Sequence, residues 1–207
     1  MGSSTAKQLP VFVITGTSGE GKSTLARRLA AQMPELELAV SATTRPQRPG
    51  EVDGRDYWFI SEEEFDRRLA EGDFLEWVRL PWGPGYRSGT LLSELERIRS
   101  EGRAPLLEIE TGGALAVRDR VQGAVTIFVT APSREELEQR LRSRATESAG
   151  EIDERLAIAE RQLELESEFD HRIVNDDLQR AFAELEEIVR GELESAGTIR
   201  ARDSSPR

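Results

Sequence analysis

Near the start of the chain, a buried strand runs through a glycine-rich turn into a helix, and this order strongly restricts the fold. Residues 9–15 (LPVFVIT) form an unbroken apolar run rich in β-branched residues, typical of a strand buried on both faces of a parallel sheet. The turn Gly16-Thr-Ser-Gly-Glu-Gly-Lys-Ser23 follows, and residues 23–32 then show a helical pattern. The turn matches the spacing G-x-x-x-x-G-K-[ST] in full, with both required flanks. We therefore expect an α/β core built around a parallel sheet.

The glycine-rich turn predicts a nucleotide-binding P-loop. Its glycines let backbone N–H groups wrap a polyphosphate, and the following helix adds the positive end of its dipole. Lys22 would contact the β- and γ-phosphates, and the Ser23 hydroxyl would ligate Mg²⁺. Only two of the 28 basic residues are lysines, so a lysine in this position calls for a chemical reason. The loop residues predicted to bind the nucleotide are Gly16, Ser18, Gly19, Gly21, Lys22, Ser23 and Thr24.

Short apolar runs recur along the chain and alternate with helical patterns. They cover residues 36–40, 106–109, 125–130 and 172–174. Such alternation is typical of parallel βαβ units with helices on both faces of the sheet. Ser61-x-x-Glu64 and Ser133-x-x-Glu136 are capping boxes that predict two helix starts, and a last helix is predicted over 177–193. The expected fold class is α/β, with a P-loop NTPase-type parallel sheet core flanked by helices.

Two segments interrupt this alternation. Within 41–91, short strand patterns at 57–60 and 74–80 flank a small helix, and at about 140–158 the chain is charged and rich in small residues. Both segments follow strands of the core, where α/β proteins build their binding sites. We predict one domain over 9–190, made of a core (9–40 and 92–190), an inserted mixed α/β subdomain (41–91) and a small lid (about 140–158), with disordered tails at 1–8 and 194–207.

Composition argues against several classes of function. The 207 residues carry a net charge of −11, which disfavours binding to nucleic acid or to an anionic membrane because the overall field repels phosphate. The chain has no cysteine, so disulfides, thiol catalysis and cysteine-ligated metal sites are excluded. No targeting segment and no apolar run of roughly 20 residues is visible, which predicts a soluble, cytoplasmic protein. Both a monomer and a homo-oligomer are compatible with the sequence.

The inserted segment carries residues suited to a phosphate ester and a base. Arg45, Arg48 and Tyr57 lie near a predicted turn, and two guanidinium forks with a phenol can hold a phosphate dianion; the alternative is a solvated basic loop. Glu76 lies between large apolar residues in FLEW. A carboxylate held there can accept two parallel hydrogen bonds, and guanine is the base that offers N1–H and N2–H together. The alternative is a strand glutamate that faces solvent.

Over residues 10–189 the sequence resembles the guanylate kinase family, whose members phosphorylate GMP with ATP. The P-loop, SATTRPQRPGEVDGRDYWF (41–59), GDFLEW (72–77), LLEIE (106–110), the arginine-rich RLRSR (140–144) and IVNDD (173–177) follow the family in order and spacing. The resemblance implies an enzyme that uses ATP and Mg²⁺ and converts GMP, and also dGMP, to the diphosphate by in-line phosphoryl transfer. It implies small-molecule partners, ATP and GMP, and neither nucleic acid nor a membrane.

The resemblance also implies roles for single residues. Ser41 and Glu76 would read the guanine, while Arg45, Arg48 and Tyr57 would bind the GMP phosphate. Asn175 would lie beside the adenine of ATP, and the lid arginines would clamp the transferring phosphoryl group. The catalytic residues implied in this way are Lys22, Arg45, Arg140, Arg144 and Arg155.

Two departures from the family pattern concern the acceptor. After the strand that contains Glu76, the family has an Asn-Tyr-Tyr-Gly-Thr-like segment; here the region is about three residues longer, and Ser88 stands at the position of the second tyrosine. Glu110 stands where the family has an aspartate, which lengthens the carboxylate by one methylene. Tyr86 or Arg87 could replace the missing phenol. The predicted acceptor-binding set therefore includes Tyr86, Arg87, Ser88, Thr90 and Glu110.

Three functions compete on this sequence. An ATP:GMP phosphotransferase is the leading interpretation. A specialised paralogue that phosphorylates a modified guanine nucleotide, or another small phosphate ester, is the second, because of the two departures. A non-catalytic guanylate-kinase-like binding module is the third, and the intact P-loop and the lid arginines argue against it.

Overall fold

Strands and helices alternate along the chain, as the apolar runs predict. The computed structural model describes residues 9–17, 19–80, 84–143 and 149–197. In chain order its elements are β1 (Val11–Gly16), α1 (Lys22–Gln32), β2 (Leu36–Leu38), β3 (Ala42–Thr43), β4 (Trp58–Phe59), α2 (Glu62–Glu71), β5 (Phe74–Arg79), β6 (Arg87–Leu91), α3 (Leu92–Ser100), β7 (Ala104–Glu108), α4 (Thr111–Arg120), β8 (Ala124–Thr130), α5 (Arg134–Ser143), α6 (Ala149–Leu163), β9 (His171–Val174) and α7 (Leu178–Ser195).

The core is a five-stranded sheet with β1 at its centre. Its strand order is β2-β7-β1-β8-β9, and every neighbouring pair is parallel. Phe12 of β1 lies opposite Leu106 of β7 on one side and Val125 of β8 on the other. The predicted core strands are therefore all present, and the α/β class with a parallel sheet core is confirmed.

Hydrophobic layers cover both faces of this sheet. Phe12 and Ile14 are fully buried in a cluster with side chains of α1 and α7, whereas Val11 and Val13 are fully buried in a second cluster with side chains of α3 and α4. Burying a side chain of this size contributes about 1.5–3 kcal/mol, so β1 is held firmly from both sides. The loops that leave β1 and β7 at their carboxyl ends consequently start from rigid positions.

Between β2 and α3 the chain forms a second, mixed sheet of order β4-β3-β6-β5. β3 pairs in parallel with β4, while β6 runs antiparallel to both β3 and β5. α2 covers this sheet and stacks Phe65 on Phe74, with ring centroids 4.4 Å apart. The inserted mixed α/β subdomain is thus present. The sequence pattern does not predict β3 or β6, because β3 has only two residues and β6 contains Ser88 and Gly89, which are weak strand formers.

Helix starts follow the predicted capping signals. Ser61 Oγ accepts a hydrogen bond from the Glu64 amide at 3.1 Å, and Ser133 Oγ accepts one from the Glu136 amide at 3.2 Å. α7 ends later than the sequence predicts, because Leu193 is fully buried and keeps the helix packed on the core as far as Ser195. The helix therefore extends past 190 and into the first residues of the predicted tail.

The lid predicted at about 140–158 coincides with the end of α5 and the first part of α6. Its central residues, 144–148, lie outside the described residues, as do the predicted tail segments 1–8 and 198–207. Among the helices that the structure describes, none combines the length and the apolar character needed to cross a bilayer.

Candidate active site

A cavity of about 300 Å³ opens at the carboxyl edge of the core sheet. α1 and the end of β7 form its core side, and the inserted subdomain forms the opposite side. The structure brings seven of the predicted acceptor-binding residues together around this space. They are Ser41, Arg45, Arg48, Tyr57, Glu76, Ser88 and Glu110.

The P-loop lies next to the cavity, between β1 and α1, and its three glycines Gly16, Gly19 and Gly21 all have positive φ values. Gly16 has a φ of 135°, and a Cβ there would lie 1.9 Å from the carbonyl oxygen of Val129. Gly21 has a φ of 75°, and its Cβ would lie 3.0 Å from Nδ2 of Asn175. Residues with side chains rarely adopt such φ values, and no side chain fits at Gly16. Glycine at these positions therefore allows the tight loop, whose backbone N–H groups can then point towards a phosphate.

Two polar side chains of the P-loop reach in different directions. Lys22 Nζ donates to the carbonyl oxygen of Thr17 at 2.6 Å, which holds the ammonium group over the loop. Ser23 Oγ donates to Oε2 of Glu108 at 2.9 Å, which places the hydroxyl at the floor of the cavity. The serine therefore lines the cavity, whereas the lysine stays over the loop.

Glu20 ties the P-loop to two neighbouring elements. Its backbone oxygen accepts a hydrogen bond from the side-chain Nδ2 of Asn175 at 2.7 Å. The backbone N–H of Asn175 in turn donates to the carbonyl oxygen of Thr130 at 2.8 Å. Its carboxylate is completely buried and forms an ion pair with Nη1 of Arg140 on α5 at 2.9 Å. The structure therefore fixes Asn175, and Arg140 of the predicted lid, against the back of the loop.

The basic end of the cavity is organised around Arg45. Nη1 and Nη2 of Arg45 donate to the two oxygens of Glu51 at 3.0 and 2.8 Å, and the Arg45 guanidinium also lies over the ring of Tyr57 at 5.1 Å. Arg48 lines the same end, and its backbone amide donates to Glu51 at 2.7 Å. Burial raises the pKa of Tyr57 above its ordinary value, as does the nearby carboxylate of Glu108, so the phenol stays protonated and can donate a hydrogen bond.

One ion pair connects the core to this end of the inserted subdomain. Nη2 of Arg27, on α1, lies 3.0 Å from Oδ1 of Asp56, and Arg27 also lines the cavity. Backbone and guanidinium donors, first Val52 N–H and then Arg55, lower the pKa of Asp56. Arg27 therefore adds a third cationic side chain to the basic end.

The opposite end of the cavity is acidic, with Glu76 as its most buried carboxylate. Oε1 of Glu76 accepts hydrogen bonds from the backbone amide and the hydroxyl of Thr90, both at 2.9 Å. Burial raises the pKa of Glu76 to about 7, and the charge of Glu110 contributes to this rise. The hydrogen bonds from Thr90 lower the pKa but do not offset the effect of burial. Oε2 lies close to α4, since a Cβ on Gly113 would be only 2.3 Å from it. Thr90 does not line the cavity but holds the carboxylate that does.

Glu110 connects the cavity to α6. Its Oε2 accepts a hydrogen bond from Nε2 of Gln162, on α6, at 3.2 Å. Burial raises the pKa of Glu110, whereas the charge of Lys22 lowers it. The longer carboxylate noted in the sequence thus still faces the acceptor space and gains a partner from α6.

Arg87 does not occupy the position predicted for it. Its guanidinium is buried over the ring of Phe65 and forms hydrogen bonds with Glu62 and Asp66, so it anchors α2 and does not line the cavity. Tyr86 likewise does not line the cavity. The prediction that Arg87 contacts the acceptor phosphate does not fit, because α2 supplies two carboxylates that satisfy the arginine on the far side of the sheet.

The remaining predicted donor-site residues are distributed around the P-loop. Thr24 lies exposed in the first turn of α1, and Arg155 lies half-buried on α6. Ser18 and Arg144 lie outside the described residues.

Sequence reasoning did not find several residues that shape the site. Arg27 and Glu51 belong to its basic end, Glu108 to its floor, and Gln162 and Glu20 to its supports. Arg27 carries a usable signal, since it lies four residues after Ser23 and a helix places such residues on the same side. The others depend on contacts between distant segments, or on an acidic residue within a basic loop, and no local pattern marks them.

Comparisons with known proteins agree with this geometry. The family model "Guanylate kinase" matches residues 8–192. The chain is 46% identical over 190 residues to a guanylate kinase of Symbiobacterium thermophilum (92% of this chain, 88% of the relative) and 48% identical over 180 residues to one of Rubrobacter xylanophilus (87% and 93%). The crystal structure of guanylate kinase from Anaplasma phagocytophilum is similar with a TM-score of 0.71 at 27% identity, covering 94% of this chain and 98% of that one. On the family match and these full-length identities, the chain belongs to the guanylate kinase family.

Proposed function

We propose that the protein transfers the γ-phosphoryl group of ATP to GMP, and to dGMP, to form the diphosphate. Family membership supports the reaction class, and the relatives named above carry the name of this activity. The cavity supports the acceptor, because one end is cationic and the other presents the buried carboxylate of Glu76. A nucleoside monophosphate with donors on its base matches both ends.

The single observation that carries the choice of guanine is the placement of Glu76. Its carboxylate lies at the cavity wall, and Thr90 holds it through Oε1 alone. Oε2 therefore accepts no hydrogen bond from Thr90. Guanine presents N1–H and N2–H on one edge and can donate to such a carboxylate, whereas adenine and uracil cannot offer that pair. We assign Ser41 to the same end of the acceptor and Arg45, Arg48 and Tyr57 to its phosphate.

On the donor side, the P-loop amides and Lys22 would hold the β- and γ-phosphates. Arg140, fixed beside the loop by Glu20, and Arg155 on α6 would neutralise charge on the transferring group, together with Arg144. Phosphoryl transfer needs in-line positioning and charge neutralisation, so neither a nucleophilic side chain nor a strong general base is required. Asn175 is assigned to the adenine side of the loop.

The residues at the floor of the cavity fit a magnesium ion. Ser23 Oγ and the Glu108 carboxylate lie 2.9 Å apart, and oxygen atoms are the ligands that Mg²⁺ prefers. Within the described ranges no cluster of three or more acidic or histidine side chains could hold a metal by itself, so ATP phosphates would supply the other ligands. Ser23 would hold the ion, which when bound neutralises phosphate charge. The cytoplasmic location expected from the sequence stays a prediction.

The test is a coupled assay of ADP release with GMP, dGMP, AMP, UMP and no acceptor. We expect GMP and dGMP to be turned over and the other conditions to give background release. If GMP reacts poorly while a guanine nucleotide altered at its base or phosphate end reacts well, the specialised paralogue suggested by Ser88 and Glu110 replaces the proposal. Absence of turnover with every acceptor, together with tight GMP binding, would favour a binding module.

A further inference from the structure

Glu51 is an acidic residue in the wall of a cavity that is proposed to receive a phosphate. It lines the cavity together with Arg45 and Arg48, and its side chain is 20% exposed. A carboxylate in this position repels an incoming phosphate. Its presence therefore calls for a compensating role.

The contacts of Glu51 suggest such a role. Its Oε1 accepts from Nη2 of Arg45 at 2.8 Å, and its Oε2 accepts from Nη1 of Arg45 at 3.0 Å and from the backbone amide of Arg48 at 2.7 Å. One carboxylate thus contacts both arginines assigned to the acceptor phosphate. Arg45 holds the pKa of Glu51 below its ordinary value, so the group stays ionised.

The hydrogen bonds of Arg45 leave one part of its guanidinium available. A guanidinium has two forks that can bind an oxyanion, an end-on fork from Nη1 and Nη2 and a side-on fork from Nε and Nη2. Glu51 takes the end-on fork, and the carbonyl oxygen of Pro46 takes the other Nη1 proton at 2.7 Å. Among the residues that the structure describes, Nε donates to no protein atom, so the side-on fork can bind a phosphate while Glu51 keeps its place.

Two neighbouring aromatic rings pack against the same guanidinium, and their centroids lie 5.9 Å apart. Arg45 lies 5.1 Å from the ring centroid of Tyr57 and 5.7 Å from that of Phe59. An arginine held both by hydrogen bonds and by packing against aromatic rings loses little rotational freedom when a ligand binds. The hydrogen bonds to Glu51 therefore preorganise Arg45 for the phosphate and do not block its side-on fork.

We propose that Glu51 is a positioning residue, which orients the Arg45 side-on fork and the Arg48 turn towards the acceptor phosphate. This inference rests on the proposed function, since it assigns a role within the same acceptor site. The opposite role, a carboxylate that occupies Arg45 and competes with the phosphate, predicts effects of opposite sign.

The experiment compares Glu51→Gln and Glu51→Ala with wild type in steady-state assays, and measures the dissociation constants of GMP and guanosine by titration. Loss of a charged hydrogen-bond partner should raise the KM and the Kd for GMP about tenfold or more. The kcat should stay within about threefold, because the residue acts on binding before the chemical step. Guanosine has no phosphate, so its dissociation constant should change by less than about twofold.

Glu64→Gln is the matched control. Glu64 also chelates a guanidinium, that of Arg67 at 2.9 and 2.8 Å, but on the exposed side of α2 and away from the cavity. The Glu64→Gln variant should leave the KM for GMP unchanged.

Thermal unfolding shows whether Glu51→Ala is folded. If it is not, the isosteric Glu51→Gln still tests the positioning role. In an Arg45→Lys background, Glu51→Gln should have a clearly smaller effect than in the wild type, as expected for residues that act together.

The outcomes separate the inference from the function on which it rests. Wild-type turnover of GMP with an unchanged or lowered KM in Glu51→Gln overturns the positioning role alone. Equal weakening of GMP and guanosine also overturns it, because it indicates general loosening of the cavity. A wild type that neither binds nor phosphorylates GMP overturns both the proposed function and this inference.

Discussion

The carboxylate of Glu20, inside the P-loop, and the guanidinium of Arg140, on α5, form an ion pair of 2.9 Å in which the glutamate is completely buried. The loop proposed to bind the donor phosphates is therefore attached directly to α5, the helix at which the predicted lid begins. A glutamate in this loop adds negative charge next to the proposed phosphate site. The pairing with Arg140 offsets that charge and at the same time fixes the arginine near the loop.

Glu20→Gln should weaken ATP binding selectively. The variant keeps the shape of the side chain but loses the charge that holds Arg140, so we expect the KM for ATP to rise about three- to tenfold. The KM for GMP should stay within about twofold, because the contact lies behind the P-loop. Steady-state kinetics with each substrate varied in turn measures both values.

Glu136→Gln provides the comparison for this prediction. Glu136 is the second carboxylate on Arg140, at 3.0 Å, and it is 40% exposed. An exposed pair of this kind is worth less than about 1 kcal/mol, so its loss should hardly change the KM for ATP. Equal effects of the two variants, or tighter ATP binding in Glu20→Gln, would contradict the role given to the buried pair.

Gly113→Ala should damage acceptor recognition without destabilising the helix. The new Cβ would lie 2.3 Å from Oε2 of Glu76 and must displace the carboxylate, although alanine favours a helix over glycine by about 1 kcal/mol. We expect kcat/KM for GMP to fall at least about tenfold with an unchanged or higher Tm.

Gly112→Ala is the neighbouring control. Among the described residues, a Cβ at Gly112 would meet only Val78 Cγ1, at an ordinary 3.8 Å. Its kcat/KM for GMP should stay within about twofold of wild type. Similar losses in both variants would indicate that backbone freedom in α4, and not the approach to Glu76, matters.

Glu76 should make the stability of the free protein depend on pH. The folded-state pKa, about 7, lies above the ordinary value of 4.5, so between these values the folded protein binds more protons than the unfolded chain. The contribution of Glu76 is thus fully present below pH 4.5 and is lost as the pH rises through 7. Relative to Glu76→Gln, the wild type should lose up to about 3 kcal/mol of unfolding free energy between pH 5 and 8.

Urea unfolding of both proteins at several pH values, without nucleotide, measures this difference. A constant difference between the two proteins across that range would show that Glu76 is ionised in the folded protein throughout.

Arg87→Met should lower stability and leave acceptor binding largely intact. The buried guanidinium joins β6 to Glu62 and Asp66 of α2 and covers Phe65, so its removal leaves the inserted subdomain less well anchored. We expect a loss of about 1–3 kcal/mol, because the charged hydrogen bonds of a guanidinium that is only 8% exposed are removed. Below the unfolding transition, kcat/KM for GMP should change by less than about threefold. A loss of tenfold or more in a protein that remains folded would restore Arg87 to the acceptor site.

The contrast between Arg87 and Lys22 shows what the sequence reveals and what it conceals. Lys22 stands in a loop whose glycines, preceding strand and following helix are all local signals, so its position could be predicted. The partners of Arg87 lie 21 and 25 residues away, and nothing near Arg87 in the sequence indicates that α2 will satisfy it.

The fold follows the same division. The core strands are long apolar runs, and the alternation with helices predicts a parallel sheet. β3 has two residues and exists because β4 and β6 pair with it, so tertiary contacts and not propensity define it. Glu51, Glu20 and Gln162 are supports of the site whose roles depend on distances that appear only when the chain is folded.

The most direct test of the acceptor assignment compares GMP with inosine monophosphate, which lacks the 2-amino group and is otherwise the same nucleotide. If Glu76 reads the guanine edge, loss of one donor to a buried carboxylate should lower kcat/KM at least about tenfold for inosine monophosphate. The preference for GMP should largely disappear in Glu76→Gln. Equal kcat/KM for the two nucleotides in the wild type would contradict recognition of guanine by Glu76 in this cavity.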